Sequence, residues 1–361
     1  MVHLFNVAAA LALMSSVSAQ CGSGTPDATV TVRINTVFGS GSSFVAKKGS
    51  STVYTGDYRT AIQRAVDSIA SGQRVAVMAS GSIGAGTITI QAGKTFEGCG
   101  TINAAINSGR GAIEVTNAAN VKIPYLTMTG SVYFGLRFSG TTGLTLGDIT
   151  FDLTAGMGIR FDRDRAANSN VKIGTVTCKR ASSHCVETFN IDKLEIGSVI
   201  ARNVGECGLL LQTVTNVKVG LVDGDNVAAG NGYATLRFAN QAGKLNGGYA
   251  TNIVVDKVKS RGGGRGVFCV SESGGVQIGS IDLANNGNNA ILLENCYNVN
   301  IKGGTVNGGG EVRLAARTEF ANSKDIAITA KIDGTTVRES PCTANKTKWT
   351  LTGNASKNIC T

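Results

Sequence analysis

The chain predicts an all-β fold, a parallel β-helix solenoid with an N-terminal capping helix. A short apolar-x-apolar-Gly motif, or a close variant, starts at Val121, Leu144, Val171, Leu194, Val217, Ile253, Val276, Val299 and Ile326. The steps between starts are 23, 27, 23, 23, 36, 23, 23 and 27 residues, so five of the eight are identical. A fixed step with occasional insertions marks coils that share one core and loops that leave one side. Gly is 48 of 361 residues and Pro only 3, a profile of short strands joined by tight turns. With 42% hydrophobic and 16% charged residues, the chain is neither disordered nor a helical bundle.

Residues 1–19 read as a secretory signal, with an apolar stretch from Val7 to Met14 and the small-residue pattern Val17-Ser18-Ala19 before Gln20. Residues 20–56 read as irregular, with strand-like alternation at Val30–Ile34. Residues 57–71 read as the capping helix: Asp57 is its N-cap, and Tyr58, Ile62, Val66 and Ile69 share one face. Gly72 sits where a C-cap glycine belongs, and a strand, Arg74–Met78, follows. An amphipathic helix here covers the open end of the first coil. Coils run from about 74 to 335, and residues 336–361 read as a C-terminal cap anchored by Trp349. No low-complexity linker interrupts residues 20–361, which read as one domain. No segment has about 18 consecutive apolar residues, so no membrane span is expected.

Nine cysteines agree with an oxidising compartment, and the odd count leaves at least one unpaired within the chain. Spacing suggests Cys185 with Cys207, Cys269 with Cys296, and Cys342 with Cys360. Two acceptor sequons begin at Asn345 and Asn354, as in a glycoprotein. The net charge of +10 favours an anionic partner. For a secreted chain a uronic-acid polysaccharide is a better expectation than nucleic acid. No nucleic-acid motif or aromatic-interleaved basic run is present. The protein is expected to be a monomer.

The helix Thr60–Val66, the strand Arg74–Val77, the step Gly98-Cys99-Gly100-Thr101-Ile102 and the 23-residue coils resemble the pectin-lyase-like superfamily. The resemblance covers most of the mature chain. It implies a right-handed parallel β-helix and a secreted polysaccharide-active or cell-surface protein. The sequence motifs of polygalacturonases and the paired-arginine motif of pectate lyases are absent. Lyase, glycoside hydrolase and non-catalytic binding protein all stay open.

Aligned coils predict which side chains face outward, because alternate residues of a strand point to opposite faces. Leu136, Ile159, Val186, Leu209, Leu236, Phe268 and Ile291 are expected inside. Arg137, Arg160, Glu187, Leu210, Arg237, Cys269 and Leu292 are expected in one outward column. His184, the one histidine of the mature chain, precedes that column, Glu206 and Cys207 start the next coil, and Tyr133 and Tyr233 lie at similar positions. The insertions holding Arg163–Arg165 and Asn240–Tyr249 are expected to rim a groove.

Elimination from a uronate requires neutralising its carboxylate, removing the adjacent proton and protonating the leaving oxygen. Arg137, Arg160 and Arg237 suit the first task, since guanidinium binds carboxylate in a fork. His184 is the candidate base with Glu187 as its partner, and Tyr133 or Tyr233 is the candidate acid. Hydrolysis would instead use Asp162 with Glu187 or Glu206. Arg265, in the glycine-rich corner 261–265, is a further candidate for binding an acidic sugar. No zinc cluster is expected. No cofactor is required, and calcium on Asp162, Asp164 or the Asp223/Asp225 pair stays open.

Overall fold

The computed structural model describes residues 21–33, 43–230 and 232–360. The protein is a parallel β-solenoid of about 12 turns with one short helix. The signal segment 1–19, Gln20 and Ile34 lie outside the described residues.

The repeated step sets the register. Val171, Leu194, Val217, Ile253, Val276, Val299 and Ile326 occupy one ladder position, each paired in parallel with the next. Lys122, Thr145 and Lys172, each one residue past a motif start, extend the ladder toward the N-terminus. The apolar positions point inward, with Val171 and Leu194 fully buried. The glycine of the motif answers a lack of space. A Cβ on Gly197 would lie 2.7 Å from the carbonyl oxygen of Gly174, and one on Gly220 would lie 2.6 Å from that of Gly197. A side chain at either of these two positions would crowd the coil beside it, whereas Pro124, Asp256, Lys302 and Thr329 hold the same place on other coils.

The coils turn on left-handed residues. Asn120, Gly143, Asn170, Lys193, Asn216, Gly275, Asn298 and Asp325 have positive φ, and each directly precedes a motif start. Gly and Asn enter that region at the lowest cost, which explains their recurrence. Such residues let a 17-residue strand, Val186–Arg202, bend around the solenoid without ending.

The two ends differ from expectation. Residues 20–56 are not irregular: Ala28–Arg33, Ser43–Lys48 and Ser51–Gly56 form an antiparallel sheet. Ala28–Arg33 also pairs in parallel with Arg74–Val77, so the sheet is joined to the first coil. The helix spans Tyr58–Ser68, and Asp57 caps it by accepting the Thr60 N–H at 2.9 Å. It stops short of Ser71 because Ile69 turns extended and enters the core. Gly72 is therefore not its C-cap and instead donates its N–H to Gly93 at 2.8 Å. Residues 336–360 continue the solenoid rather than forming a separate cap. Thr336–Glu339 stacks on Glu311–Ala315, and Lys348–Thr352 stacks on Lys324–Asp333. Trp349 packs on the core and donates its indole N–H to Glu339 at 2.9 Å. One buried apolar cluster runs from Ala28 to Val337.

Disulfides join Cys21 to Cys99, Cys178 to Cys185, Cys269 to Cys296 and Cys342 to Cys360. The pairing of Cys185 with Cys207 is overturned. Cys185 closes a short loop with Cys178, and Cys207 remains a buried free thiol whose pKa burial pushes up to about 12. Four disulfides fit an oxidising environment. No helix among the described residues is long and apolar enough to cross a membrane.

Candidate active site

One outward column organises the site. Glu114, Arg137, Arg160, Glu187, Leu210, Arg237, Phe268, Leu292 and Arg313 stack in register on successive coils. The column matches expectation except at one coil. Phe268, not Cys269, pairs with Arg237 and faces outward, while Cys269 turns into the core. Phe268 joins Leu210, Leu292 and the partly buried Tyr233 in an apolar strip on the outer face of the sheet.

The N-terminal half of the column is a compensated charge ladder. Arg110 and Arg137 both reach Glu114, at 2.8 and 3.4 Å. Arg137 Nε donates to Asp162 at 2.9 Å, and Arg165 approaches the same carboxylate at 3.5 Å. Arg160 Nη1 donates to Glu187 Oε2, and Gln212 donates to Oε1 at 2.9 Å. Arg160 Nε lies 3.5 Å from Asp162, within ion-pair reach but without a hydrogen bond. The Phe134 and Phe189 rings stand 5.6 and 5.7 Å from the Arg160 guanidinium carbon. Glu187 and Asp162 are buried, so these contacts replace the water both carboxylates have lost.

His184 and Glu206 sit where this ladder ends. His184 is only 5% exposed. Its Nδ1 accepts the Cys207 backbone N–H at 2.9 Å, and a backbone nitrogen can only donate. The neutral ring therefore carries its proton on Nε2, which lies 3.1 Å from Glu206 Oε2. Burial holds the His184 pKa down at about 4; Glu206 opposes the shift, while Arg237 and Arg160 add to it. The imidazole is neutral at neutral pH and orients Glu206. Ser183 Oγ donates to the same carboxylate oxygen. Glu206 is 29% exposed, and its Oε1 takes no hydrogen bond among the described residues.

Tyr133, Arg160, Ser183, His184, Glu187 and Glu206 line a groove of about 490 Å³. An adjoining hollow of about 470 Å³ adds Arg137, Asp162 and the Arg163–Arg165 insertion, and shares Tyr133, Phe134 and Arg160 with the groove. Tyr133 is 46% exposed. On the other side of His184, the Tyr233 ring packs edge-on at 5.2 Å. Burial raises the Tyr233 pKa, with Glu206 adding to the rise.

The next arginines differ from the first pair. Arg237 stands 5.0 Å from the Tyr233 ring and 4.9 Å from the Phe268 ring. Among the described residues it meets no carboxylate, and its buried Nε has no acceptor. Arg265 lies 4.6 Å from the same Phe268 ring and donates to Asn289 at 3.1 Å and to the Gly232 carbonyl. Burial lowers the Arg265 pKa, and the charge of Arg237 lowers it further. Glu294 opposes that shift in part, so the two cations share one aromatic ring and the nearby carboxylate acts on Arg265.

Phe189 and Gln212 lie on the outward face two residues past Glu187 and Leu210, as coil alignment predicts, whereas Phe134 and Ser183 have no such signal beyond the position of Ser183 directly before His184. The Asn240–Tyr249 insertion does not rim this groove; Tyr249 lines a separate hollow. The acids considered for calcium have basic neighbours. Asp162 is ringed by arginines, and Asp223 lies 3.2 Å from Arg202 and 3.3 Å from Lys259, so neither suits a cation. Among the described residues, one trio of potential ligands lies close together, Cys21, Glu97 and Cys99, and its two thiols are joined as a disulfide.

Comparison with protein-family models, with curated proteins and with solved structures found no match to this chain. Fold and site define a disulfide-bonded parallel β-solenoid with a charged surface groove.

Proposed function

We propose that the chain is a secreted enzyme of the pectin-lyase-like kind that cleaves a uronic-acid polysaccharide by β-elimination. The observation that carries this reading is Glu206: a partly exposed carboxylate, oriented by His184 and Ser183, between the compensated Arg160 and Arg237, which meets no carboxylate among the described residues.

Arg237 and Arg265 take the substrate carboxylates, and Arg237 stabilises the charge that builds up as the neighbouring carbon loses its proton. Glu206 Oε1 removes that proton, the role first expected of His184. The C–H electrons form the new carbon–carbon double bond, and the bond to the glycosidic oxygen breaks. Tyr233, kept protonated by burial, gives its proton to the leaving oxygen. Tyr133 offers an exposed ring as a platform for a sugar at the far end of the groove. Hydrolysis would need a second carboxyl group beside Glu206. Glu187 has both oxygens engaged, and Asp162 is held by arginines, so β-elimination fits better.

The test is incubation with a panel of uronate polysaccharides, following the ultraviolet absorbance of unsaturated products together with reducing ends. Both should rise, and Glu206→Gln should slow the reaction by about 10²–10⁴-fold, the usual contribution of a general base. Reducing ends without the chromophore would mean hydrolysis. Folded protein that retains polymer but releases neither signal would mean a binding protein.

A further inference from the structure

The insertion that misses the groove builds something else. Leu245 and Gly248 exchange backbone hydrogen bonds of 2.9 and 3.0 Å around Asn246 and Gly247, both of positive φ. This is a tight two-residue turn of the hairpin type. Behind it, the Tyr249 hydroxyl donates to the Glu272 carbonyl, and the Tyr249 carbonyl accepts from Asn298 Nδ2 at 2.8 Å. Glu272 and Asn298 belong to two later coils, so the insertion is clamped along the axis as a wall.

The wall borders a hollow of about 610 Å³ lined by Tyr249, Glu272, Tyr297, Asn298 and Lys324. The two tyrosine rings lie 5.0 Å apart and tilted. Ser271 and Glu272 both have φ of 55°. Two successive left-handed residues that are not glycine store strain, and such strain gathers at ligand sites. Glu272 is half-buried, and among the described residues its carboxylate has no hydrogen bond or ion pair. Asp325, also on the lining, is engaged by Asn345 at 2.7 Å. Lys324 stands 6.0 Å from the Tyr297 ring, so the chain itself fills the cation position over that ring.

We propose that this hollow is a second carbohydrate site, which binds a neutral sugar residue. The apolar face of the sugar rests on the Tyr249 ring, and its hydroxyls meet the Glu272 carboxylate, the Asn298 amide oxygen and the Lys324 ammonium. An aromatic surface with a few converging polar groups is the usual make-up of a small-ligand pocket. An acidic sugar would face the Glu272 carboxylate, and an organic cation would face Lys324. The assignment does not depend on the elimination reaction.

Calorimetric titration of the folded protein with cellohexaose, xylohexaose and mannohexaose tests it, with choline as a charged control. One neutral oligosaccharide should bind saturably. Tyr249→Ala and Glu272→Gln should each weaken it by about 10-fold or more, the cost of a contact at the centre of a site. Arg237→Ala, in the other groove, should leave it unchanged. Glu272→Gln keeps the shape of the hollow and decides the matter if Tyr249→Ala melts early. Absence of binding by all three neutral probes, tighter binding of choline, or an equal loss in Arg237→Ala would overturn the assignment.

Discussion

Arg160 and Arg237 stand on one sheet, in one column, three coils apart, and do different work. Arg160 is held by Glu187 and lies near Asp162 and two phenylalanine rings. Arg237 has aromatic neighbours and no acid among the described residues. An arginine whose charge is already cancelled supports the wall of a groove. One left uncancelled beside a second cation is, in the proposed reading, the one that takes an anion from outside. Residue type and outward position alone do not separate the two roles; the neighbours on adjacent coils do.

The largest expected effect breaks the comparison at its structural side. Arg160→Ala leaves the buried Glu187 without its cation and should cost about 3–5 kcal/mol in denaturant unfolding. The double change Arg160→Met with Glu187→Leu should recover most of that loss, because it removes both charges together. Arg237→Ala should stay within about 1 kcal/mol of the parent, yet weaken binding of a uronate oligomer on the order of 10- to 100-fold. Equal stability losses in Arg160→Ala and Arg237→Ala would erase the distinction between the halves.

The next effect reads the boundary between them. The His184 pKa is about 4 when folded and near 6.5 when unfolded. Between those values the unfolded chain binds the extra proton, so stability falls as pH drops from about 6.5 toward 4 and is level above that window. The change is at most a few kcal/mol. Glu206, Arg160 and Arg237 surround the ring, and His184→Gln should flatten the slope in pH-dependent melts. A slope unchanged in that variant would place the titration elsewhere.

The smallest effect lies at a corner away from both halves and gives a baseline. Lys193 occupies a turn position where Asn170 and Asn216 stand on the coils to either side, with φ of 62°. Lys193→Asn should raise stability by about 0.5–1 kcal/mol through eased backbone strain, with no change in ligand binding.

Much of the architecture was legible because the solenoid repeats in sequence as it does in space. The stacking of Val171 on Leu194 and Val217, and the outward column as far as Arg237, follow from counting residues. Counting failed at Phe268, where the corner after Arg261 is one residue shorter than the matching corner after Ala284 on the next coil, which shifts the strand by one residue. It failed again at Cys185, since a bridge within one coil leaves no mark in the spacing between coils. The preference for Glu206 over His184 as the proposed base was beyond the sequence. It rests on which side-chain atoms already hold hydrogen bonds, and the Cys207 backbone N–H that occupies His184 Nδ1 has no signature in residue type.

The glycine column Gly174, Gly197 and Gly220 bears on how such a chain can lengthen. Within this run each glycine leaves room for the carbonyl of the one before it, so a side chain added at one of them alone would crowd its neighbour. A copied unit of 23 residues carries its glycine, its left-handed turn residue and its outward position together. Duplication of whole coils is therefore the step of least disturbance, and each added coil would extend the groove by about 4.8 Å. The length of the groove would then be inherited in discrete increments, independently of the residues around Glu206.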